Sequence, residues 1–475
     1  MHAKLQPRAA SRAALMVGML LLTATGAIRP ARADQDDDAE RVPSSAADIY
    51  SPIQRTFQHQ VPLPGGPQRP FANVPADDGP VLMQDVKDRL RFAGPFWRDL
   101  KVALYFRTHE LDRNNSSGPP SNAWAGGSAL AFRTGYLDDW LQFEAAGATS
   151  QPLHAPAGEG GTLLLTDNQA EVSSFAVANA KLRGLGQELT VGRQLIKTPY
   201  INPQDNRMLP NAVEGTVLMR RRDEAETFDY GIGYLWGFKA RDSSYFVPFS
   251  EELGVTEDRG VLAGGAKVVP IPGLTIGAVD YLIADVVNTT FAEADWIIPD
   301  GAMTYRLSAN YTDQRTVGEN LLGGAPYATG QVSARVAASY REATLLAAAS
   351  NNGDEAALVG PFGSFPAYTV LDQLNFNDAG QKTFVVGAAY DFSRIIFDGL
   401  KLQTRYGWSW DAIDASGGPR QNEYNIELEY LPTAGPFENV HVQIFYSAVE
   451  FPDNPPGETQ QPQVRGMVTY LVPLL

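Results

Sequence analysis

Leu400-Lys401-Leu402-Gln403-Thr404-Arg405-Tyr406-Gly407-Trp408-Ser409-Trp410 is the stretch on which the fold turns. Its even positions carry Leu, Leu, Thr, Tyr, Trp and Trp, and its odd positions carry Lys, Gln, Arg, Gly and Ser. A period of two belongs to a β-strand, in which successive side chains point to opposite faces. One face of this strand is therefore greasy and ends in rings, while the other is polar.

The same reading holds along the chain. Phe228, Tyr230, Ile232, Tyr234, Trp236 and Phe238 alternate with Asp229, Gly231, Gly233, Leu235, Gly237 and Lys239. Met303, Tyr305, Leu307, Ala309 and Tyr311 alternate with Thr304, Arg306, Ser308, Asn310 and Thr312. A soluble β-sandwich also alternates, so the composition of the faces has to choose. The greasy faces end in Tyr, Trp and Phe, as expected of aromatic girdles at the edges of a lipid-facing band. The polar faces hold Arg, Lys, Gln, Asn and Gly, which suits a wet lumen. The expectation is an all-β, transmembrane, antiparallel up-and-down β-barrel.

Segments of this kind, parted by Gly, Pro, Asn and Asp clusters, run from about Phe96 to Leu475. At about 20 residues per strand and connection, they allow about 16 to 20 strands, enough to leave a channel rather than a filled interior. Longer connections near Asp112–Ser121, Thr149–Asp167, Asn202–Asn211 and Asn352–Gln381 are expected outside the cell or folded into the lumen. At the C-terminus, Val464, Gly466, Val468, Tyr470 and Val472 alternate with Arg465, Met467, Thr469 and Leu471, a strand placed to pair with the first and close the barrel.

Upstream of the strands, Lys4, Arg8 and Arg12 precede an apolar run from Ala13 to Ile28 and then Ala31-Arg32-Ala33. This order predicts a secretory signal peptide over residues 1–33; an uncleaved anchor is the alternative, but the run is short of the roughly 20 residues that span a bilayer. Cleavage would remove five basic and no acidic residues, taking the formal charge from -16 to about -21. So acidic a chain lacks the basic footprint that nucleic acid requires. There is no cysteine, although export would permit disulfides. Residues 34–90 are acidic and then Pro-rich and predict a flexible segment, with a short amphipathic helix allowed near Leu82–Leu90. The barrel is then residues 91–475.

Enzymatic readings find little support. The five histidines have no metal-ligand spacing, no G-x-S-x-G elbow occurs, and Gly pairs such as Gly126-Gly127, Gly264-Gly265 and Gly323-Gly324 lack the Lys-Ser or Lys-Thr of a phosphate loop. Glu427 and Glu429 could mimic paired glycosidase acids, but residues two apart on a strand face the same way, about 7 Å apart, which describes a lumenal rim. No cofactor is expected.

Strand parity assigns cations to the lumen. Lys101 and Arg107 lie opposite Val102, Leu104 and Phe106; Arg335 and Arg341 lie opposite Val332, Ala334, Val336 and Tyr340; Arg306, Lys401, Arg405 and Arg465 follow from the strands quoted above. A charge on the lipid face would cost about 2 to 4 kcal/mol near the midplane. These cations either pair with lumenal acids such as Asp391, Glu427 and Glu429 to stiffen the wall, or present guanidinium forks to carboxylates. Arg220, Arg221 and Arg222 could instead form an interfacial cluster on lipid phosphate.

VGRQLIKTPYINPQDNRMLPNAVEG (Val191–Gly215), LDQLNFNDAGQKTFVVGAAYDF (Leu371–Phe392), GLKLQTRYGWSWDAID (Gly399–Asp414) and the closing YNIELEYLPTAGPFENVHVQIFYSAVE and VRGMVTYL segments resemble the OprD family of substrate-specific outer-membrane porins. The resemblance implies an 18-stranded barrel in the Gram-negative outer membrane, in contact with lipid and lipopolysaccharide. It also implies one pore per chain, trimer packing, and passive uptake of small carboxylates past inward-folded loops. It places Arg193, Lys197 and Arg207 at or near the constriction. Gln443, Phe445, Ser447 and Glu450 stand where the family carries basic residues on the penultimate strand, which argues against a preference for basic amino acids. The competing functions are a secreted β-propeller or sandwich hydrolase, which should show blade-like repeats, and a barrel of mainly adhesive or structural role.

Overall fold

The computed structural model describes residues 81–220, 228–413, 415–432 and 434–475. The expected signal peptide, residues 34–80 of the acidic segment, and Arg221 and Arg222 lie outside the described residues. Helix α1 (Gln84–Leu90) forms where the short amphipathic helix is expected, with none of its residues buried. Just before it, the Leu82 and Met83 N–H groups donate to the Pro473 and Leu474 carbonyls at 2.8 and 3.0 Å, tying the segment to the C-terminus. Helix α2 (Pro95–Arg98) opens with proline at its first helical position, where the fixed φ favours a helix and the missing N–H costs nothing. The first strand therefore begins at Lys101 rather than Phe96.

The described residues form the strands β1 (Lys101–Arg113), β2 (Ser121–Arg133), β3 (Leu141–His154), β4 (Val172–Gly184), β5 (Gln187–Gln194), β6 (Ala212–Arg220), β7 (Phe228–Lys239), β8 (Val261–Ile271) and β9 (Leu274–Ile283). They continue with β10 (Val287–Asp300), β11 (Met303–Thr316), β12 (Ala328–Tyr340), β13 (Ala343–Asn352), β14 (Lys382–Asp391), β15 (Leu400–Trp410), β16 (Gln421–Tyr430), β17 (Val440–Glu450) and β18 (Gln460–Pro473). Each pairs antiparallel with its neighbours in sequence, and β18 pairs back on β1 from Ala103 opposite Pro473 to Arg113 opposite Gln463. The closed sheet of 18 strands has no edge, so every ladder N–H and C=O can be satisfied without water.

Burial separates this barrel from a soluble sandwich. On β12, Val332 and Val336 are 55% and 52% exposed, while Gln331, Ser333 and Arg335 between and beside them are 2%, 0% and 7% exposed. Polar in and apolar out is the pattern that lipid demands. Exposed Tyr230, Tyr340 and Tyr470 mark one rim of the band, and exposed Trp236 and Trp410 mark the other. Short turns gather at the Tyr230 rim, the periplasmic end by the general rule for such barrels. Residues 155–171, 195–211, 240–260, 317–327, 353–381 and 411–420 connect strands at the opposite end.

The apolar core lies inside the barrel, because these long connections fold into it. Tyr200, Ile201, Phe249, Phe362 and Phe365 from three loops pack against Phe238, Val261, Ile283 and Phe291 of the wall. Leu164, Leu165, Met208 and Leu209 pack on Ala123, Ala125, Ala129, Ala146 and Ala148, where small wall residues leave room for loop side chains.

One expected strand needs correction. At the β6–β7 pairing the register shifts, with Glu214 opposite Gly237 and Gly215 opposite Leu235, so that Trp236 is the extra residue of a bulge. Parity flips there. Phe228 to Trp236 face lipid as expected, but Phe238 turns inward and is buried against Phe249 and Phe362, with ring centroids 5.6 and 5.4 Å away.

Candidate pore constriction

The loop 195–211 is positioned by an aromatic anchor. The Tyr200 ring meets Tyr281, Phe291 and Phe365 edge to face at 6.1, 6.5 and 5.9 Å, and its hydroxyl donates to Thr312 Oγ1 at 3.0 Å. This contact fixes the loop from the β9–β11 side. Its other flank, Asp205-Asn206-Arg207, is thereby delivered against β1 and β18.

There the wall and the loop exchange charges. Arg107 Nη1 and Nη2 donate to the two Asp205 oxygens at 2.6 and 3.3 Å, Nη1 also reaches the Arg207 carbonyl at 2.8 Å, and Nε donates to Thr469 Oγ1 at 3.0 Å. Arg207 donates to neutral acceptors, the Thr162 carbonyl at 3.0 Å and the Asn206 carbonyl at 2.8 Å. Arg241, from the 240–260 loop, donates to Asn206 Oδ1. Arg465 of β18 pairs with Asp372 of the 353–381 loop and reaches the Asn206 carbonyl at 3.5 Å. Guanidiniums from two strands and two loops thus converge on residues 205–207. Burial, followed by the neighbouring Arg465 and Arg241 charges, pulls Arg207 well below the usual guanidinium range. The half-buried Arg241 is also lowered, by desolvation first, with Asp242 opposing. Cations whose charge is costly in this way gain from an arriving anion.

A second polar cluster lines the opposite wall. Arg306 Nε donates to Asp295 Oδ1 at 2.7 Å; Arg335 lies 3.9 Å from the same carboxylate and donates to Ser308 Oγ at 3.1 Å. The Arg335 guanidinium sits 4.6 Å from the Tyr368 ring centroid, and the Tyr368 hydroxyl donates to Glu293. Between the clusters, Arg405 reaches the Val370 carbonyl at 3.4 Å, and Glu427 accepts from Gln403 and Gln443 at 3.5 and 3.4 Å. The wall thus carries paired charges beside guanidiniums that rest on neutral oxygens, and three loops fold in against it.

The profile of the outer membrane porin, OprD family, matches residues 94–474. The chain belongs to the OprD family. It is a channel of the Gram-negative outer membrane and not an enzyme. Among solved structures, this OprD-family chain is similar to Pseudomonas aeruginosa OccK9 (OpdG), at 20% identity and a TM-score of 0.73 over 80% of this chain and 100% of that one. It is also similar to P. aeruginosa OpdK with vanillate, at 21% identity and a TM-score of 0.70 over 79% and 99%. A BenF-like porin from Pseudomonas fluorescens Pf-5 gives 19% identity and a TM-score of 0.73 over 80% and 100%. No curated relative matches in sequence.

Within this OprD-family barrel, Arg107, Arg306, Arg335, Lys401, Arg405, Arg465 and Glu427 are buried on the lumenal face. Glu429 joins them and accepts from His441 Nε2 when that nitrogen carries the proton, at 2.8 Å. Lys101 shares the lumenal parity of β1 at the periplasmic end, opposite Arg133. Arg207 and the half-buried Lys197 lie on the 195–211 loop, and burial lowers Lys197 while Asp205 opposes.

Two expectations change. Arg193 belongs to the outer face of β5, with Val191; it pairs with Glu214 at 3.5 Å and lies over the Phe246 ring at 4.6 Å, because the buried Thr190 and Gln194 take the inward parity. Arg341 follows the end of β12, in an exposed turn at φ +52°, with its guanidinium 5.3 Å from the Tyr340 ring. Asp391 keeps the lumenal parity of β14 at the periplasmic end, opposite Lys401, and also holds the following turn, accepting from the Ser393 N–H at 2.9 Å and from its hydroxyl. Asp205, Asp372, Asp295, Glu293, Glu423, His109 and Arg241 also lie on the lumenal side, and sequence reading missed them. The strand members among them carry inward parity, which could have flagged them; the loop members leave no periodic signal.

Proposed function

We propose that this channel passes small water-soluble carboxylates and other anions by passive, partly selective diffusion. The observation that carries the reading is the convergence of Arg107, Arg207, Arg241 and Arg465 on residues 205–207, where Asp205 and Asp372 are held by Arg107 and Arg465 while Arg207 and Arg241 rest on neutral oxygens. A carboxylate entering between the loops would exchange water for guanidinium donors without having to break an ion pair. Partial pairing of the remaining cations keeps binding weak enough for release, as conduction requires. The relative OpdK was solved with vanillate, an aromatic carboxylate, which agrees with this chemistry.

Reversal potentials across planar bilayers under a potassium chloride gradient test the sign, and a clear preference for potassium would overturn it. Liposome swelling with amino acids, aromatic acids and neutral sugars would then rank the solutes.

A further inference from the structure

We propose that Glu423 is a positioning residue that sets the charge selectivity of the constriction, by holding a loop turn so that Asp372 stays on Arg465. The proposal rests on the anion reading above and adds the residue that tunes it.

Glu423 is wholly buried on the lumenal face of β16, yet three of its four donors are backbone N–H groups of a loop. Oε1 accepts from the N–H groups of Asp372 and Gln373, both at 2.9 Å, and from Asn425 Nδ2 at 2.8 Å; Oε2 accepts from the Leu374 N–H at 2.7 Å. Consecutive N–H groups turned to one point form a nest that favours an anion, and hydrogen bonds to a full charge are the stronger kind. The turn is closed on itself by Leu371 N–H donating to the Leu374 carbonyl at 3.0 Å. Glu423 thereby fixes the backbone from which the Asp372 side chain departs.

From that backbone Asp372 meets Arg465, and it accepts from Gln463 Nε2 at 2.8 Å and Ser447 Oγ at 3.2 Å. A buried and a half-buried carboxylate so lie on one strand-to-loop contact with different tasks. Glu423 is satisfied by the loop backbone together with Asn425, and Asp372 is left to offset Arg465. The Arg465 guanidinium, 4.2 Å from the Phe445 ring centroid and in reach of Asn206, belongs to the basic convergence. Lifting the turn would restore its charge to the passing solute and widen the opening at the same point.

The test is planar-bilayer recording of Glu423→Asp, Glu423→Gln and Asp372→Asn, each alone and with Arg465→Gln, with heat-modifiable migration as the check that each barrel is folded. Glu423→Asp keeps the charge but shortens the reach, so a shift of its reversal potential toward chloride must come through the turn. Glu423→Gln turns amide donors onto converging donors and should raise conductance with the same shift; Asp372→Asn should shift selectivity with a smaller change in conductance. In the Arg465→Gln background the shift should vanish for all three. A folded Glu423→Asp channel with wild-type selectivity, or shifts that persist without Arg465, would overturn the proposal. A wild-type preference for potassium would overturn the anion reading alone, since these shifts are read relative to wild type.

Discussion

Arg107 and Asp205 form a two-point ion pair between the barrel wall and the loop that narrows it, with nitrogen–oxygen distances of 2.6 and 3.3 Å. The arginine is 3% and the aspartate 16% exposed at the side chain, so the pair is largely desolvated. Planar guanidinium on planar carboxylate fixes direction as well as distance. The loop is thus registered to β1, while Tyr200 registers it to the far wall.

Asp205→Asn is expected to free this flank of the loop and leave the barrel closed. Removing one partner of a buried pair costs about 3 to 5 kcal/mol because the other charge stays behind. That strain is local, since the strand pairings do not pass through Asp205. Limited proteolysis should cut within residues 195–211 faster than in wild type, while heat-modifiable migration stays normal. Equal cutting rates would show that the pair does not hold the loop.

Arg207→Gln with Arg241→Gln should lower anion preference without unfolding, because both side chains rest on neutral oxygens that an amide can also meet. The comparison is the double exchange Arg306→Gln with Asp295→Asn, which removes an existing pair and should move selectivity less. Reversal potentials measured at low salt read the difference best, since screening blunts field effects at high ionic strength. An equal shift in both channels would locate selectivity elsewhere along the lumen.

Tyr200 separates ring packing from hydrogen bonding. Tyr200→Phe loses the bond to Thr312, worth about 1 kcal/mol, and should leave conductance close to wild type. Tyr200→Ala removes a ring packed on three others and should cost about 3 to 5 kcal/mol, seen as noisy, frequently switching single-channel current. If Tyr200→Phe switches as often as Tyr200→Ala, the anchor is the hydroxyl.

What the sequence disclosed followed the period of two. Strands such as β11, β12 and β15 declare both faces, because Leu307, Val332 and Tyr406 stand beside Arg306, Gln331 and Arg405. Where loops pack against the wall, both faces are apolar: on β2, inward Ala129 and Ala131 alternate with outward Leu130 and Phe132, and alternation no longer separates lumen from lipid. Arg193 is legible from parity, since Leu189 and Val191 share its face, whereas the family motif points it to the constriction. Asp205, Asp372 and Arg241 lie in irregular backbone, where position depends on anchors such as Tyr200 that are distant in sequence.

The bulge at Trp236 gives the sharpest contrast between two neighbouring rings. Trp236 and Phe238 share sequence parity, but the extra residue opposite Glu214 and Gly215 sends the first to lipid and the second into the barrel. Trp236→Ala should therefore cost little beyond a weaker hold on the membrane edge, where an aromatic ring prefers the interface. Phe238→Ala should cost about 3 to 5 kcal/mol, because a cavity would open against Phe249 and Phe362, with which it forms one contact group. The loss should appear first in the 240–260 and 353–381 loops that supply those rings, as faster amide exchange there than in the strands. Arg241 sits three residues beyond Phe238, so the same variant should also blur selectivity by releasing a member of the basic convergence. A larger penalty for Trp236→Ala than for Phe238→Ala would mean that the strand keeps its parity and that Phe238 faces lipid.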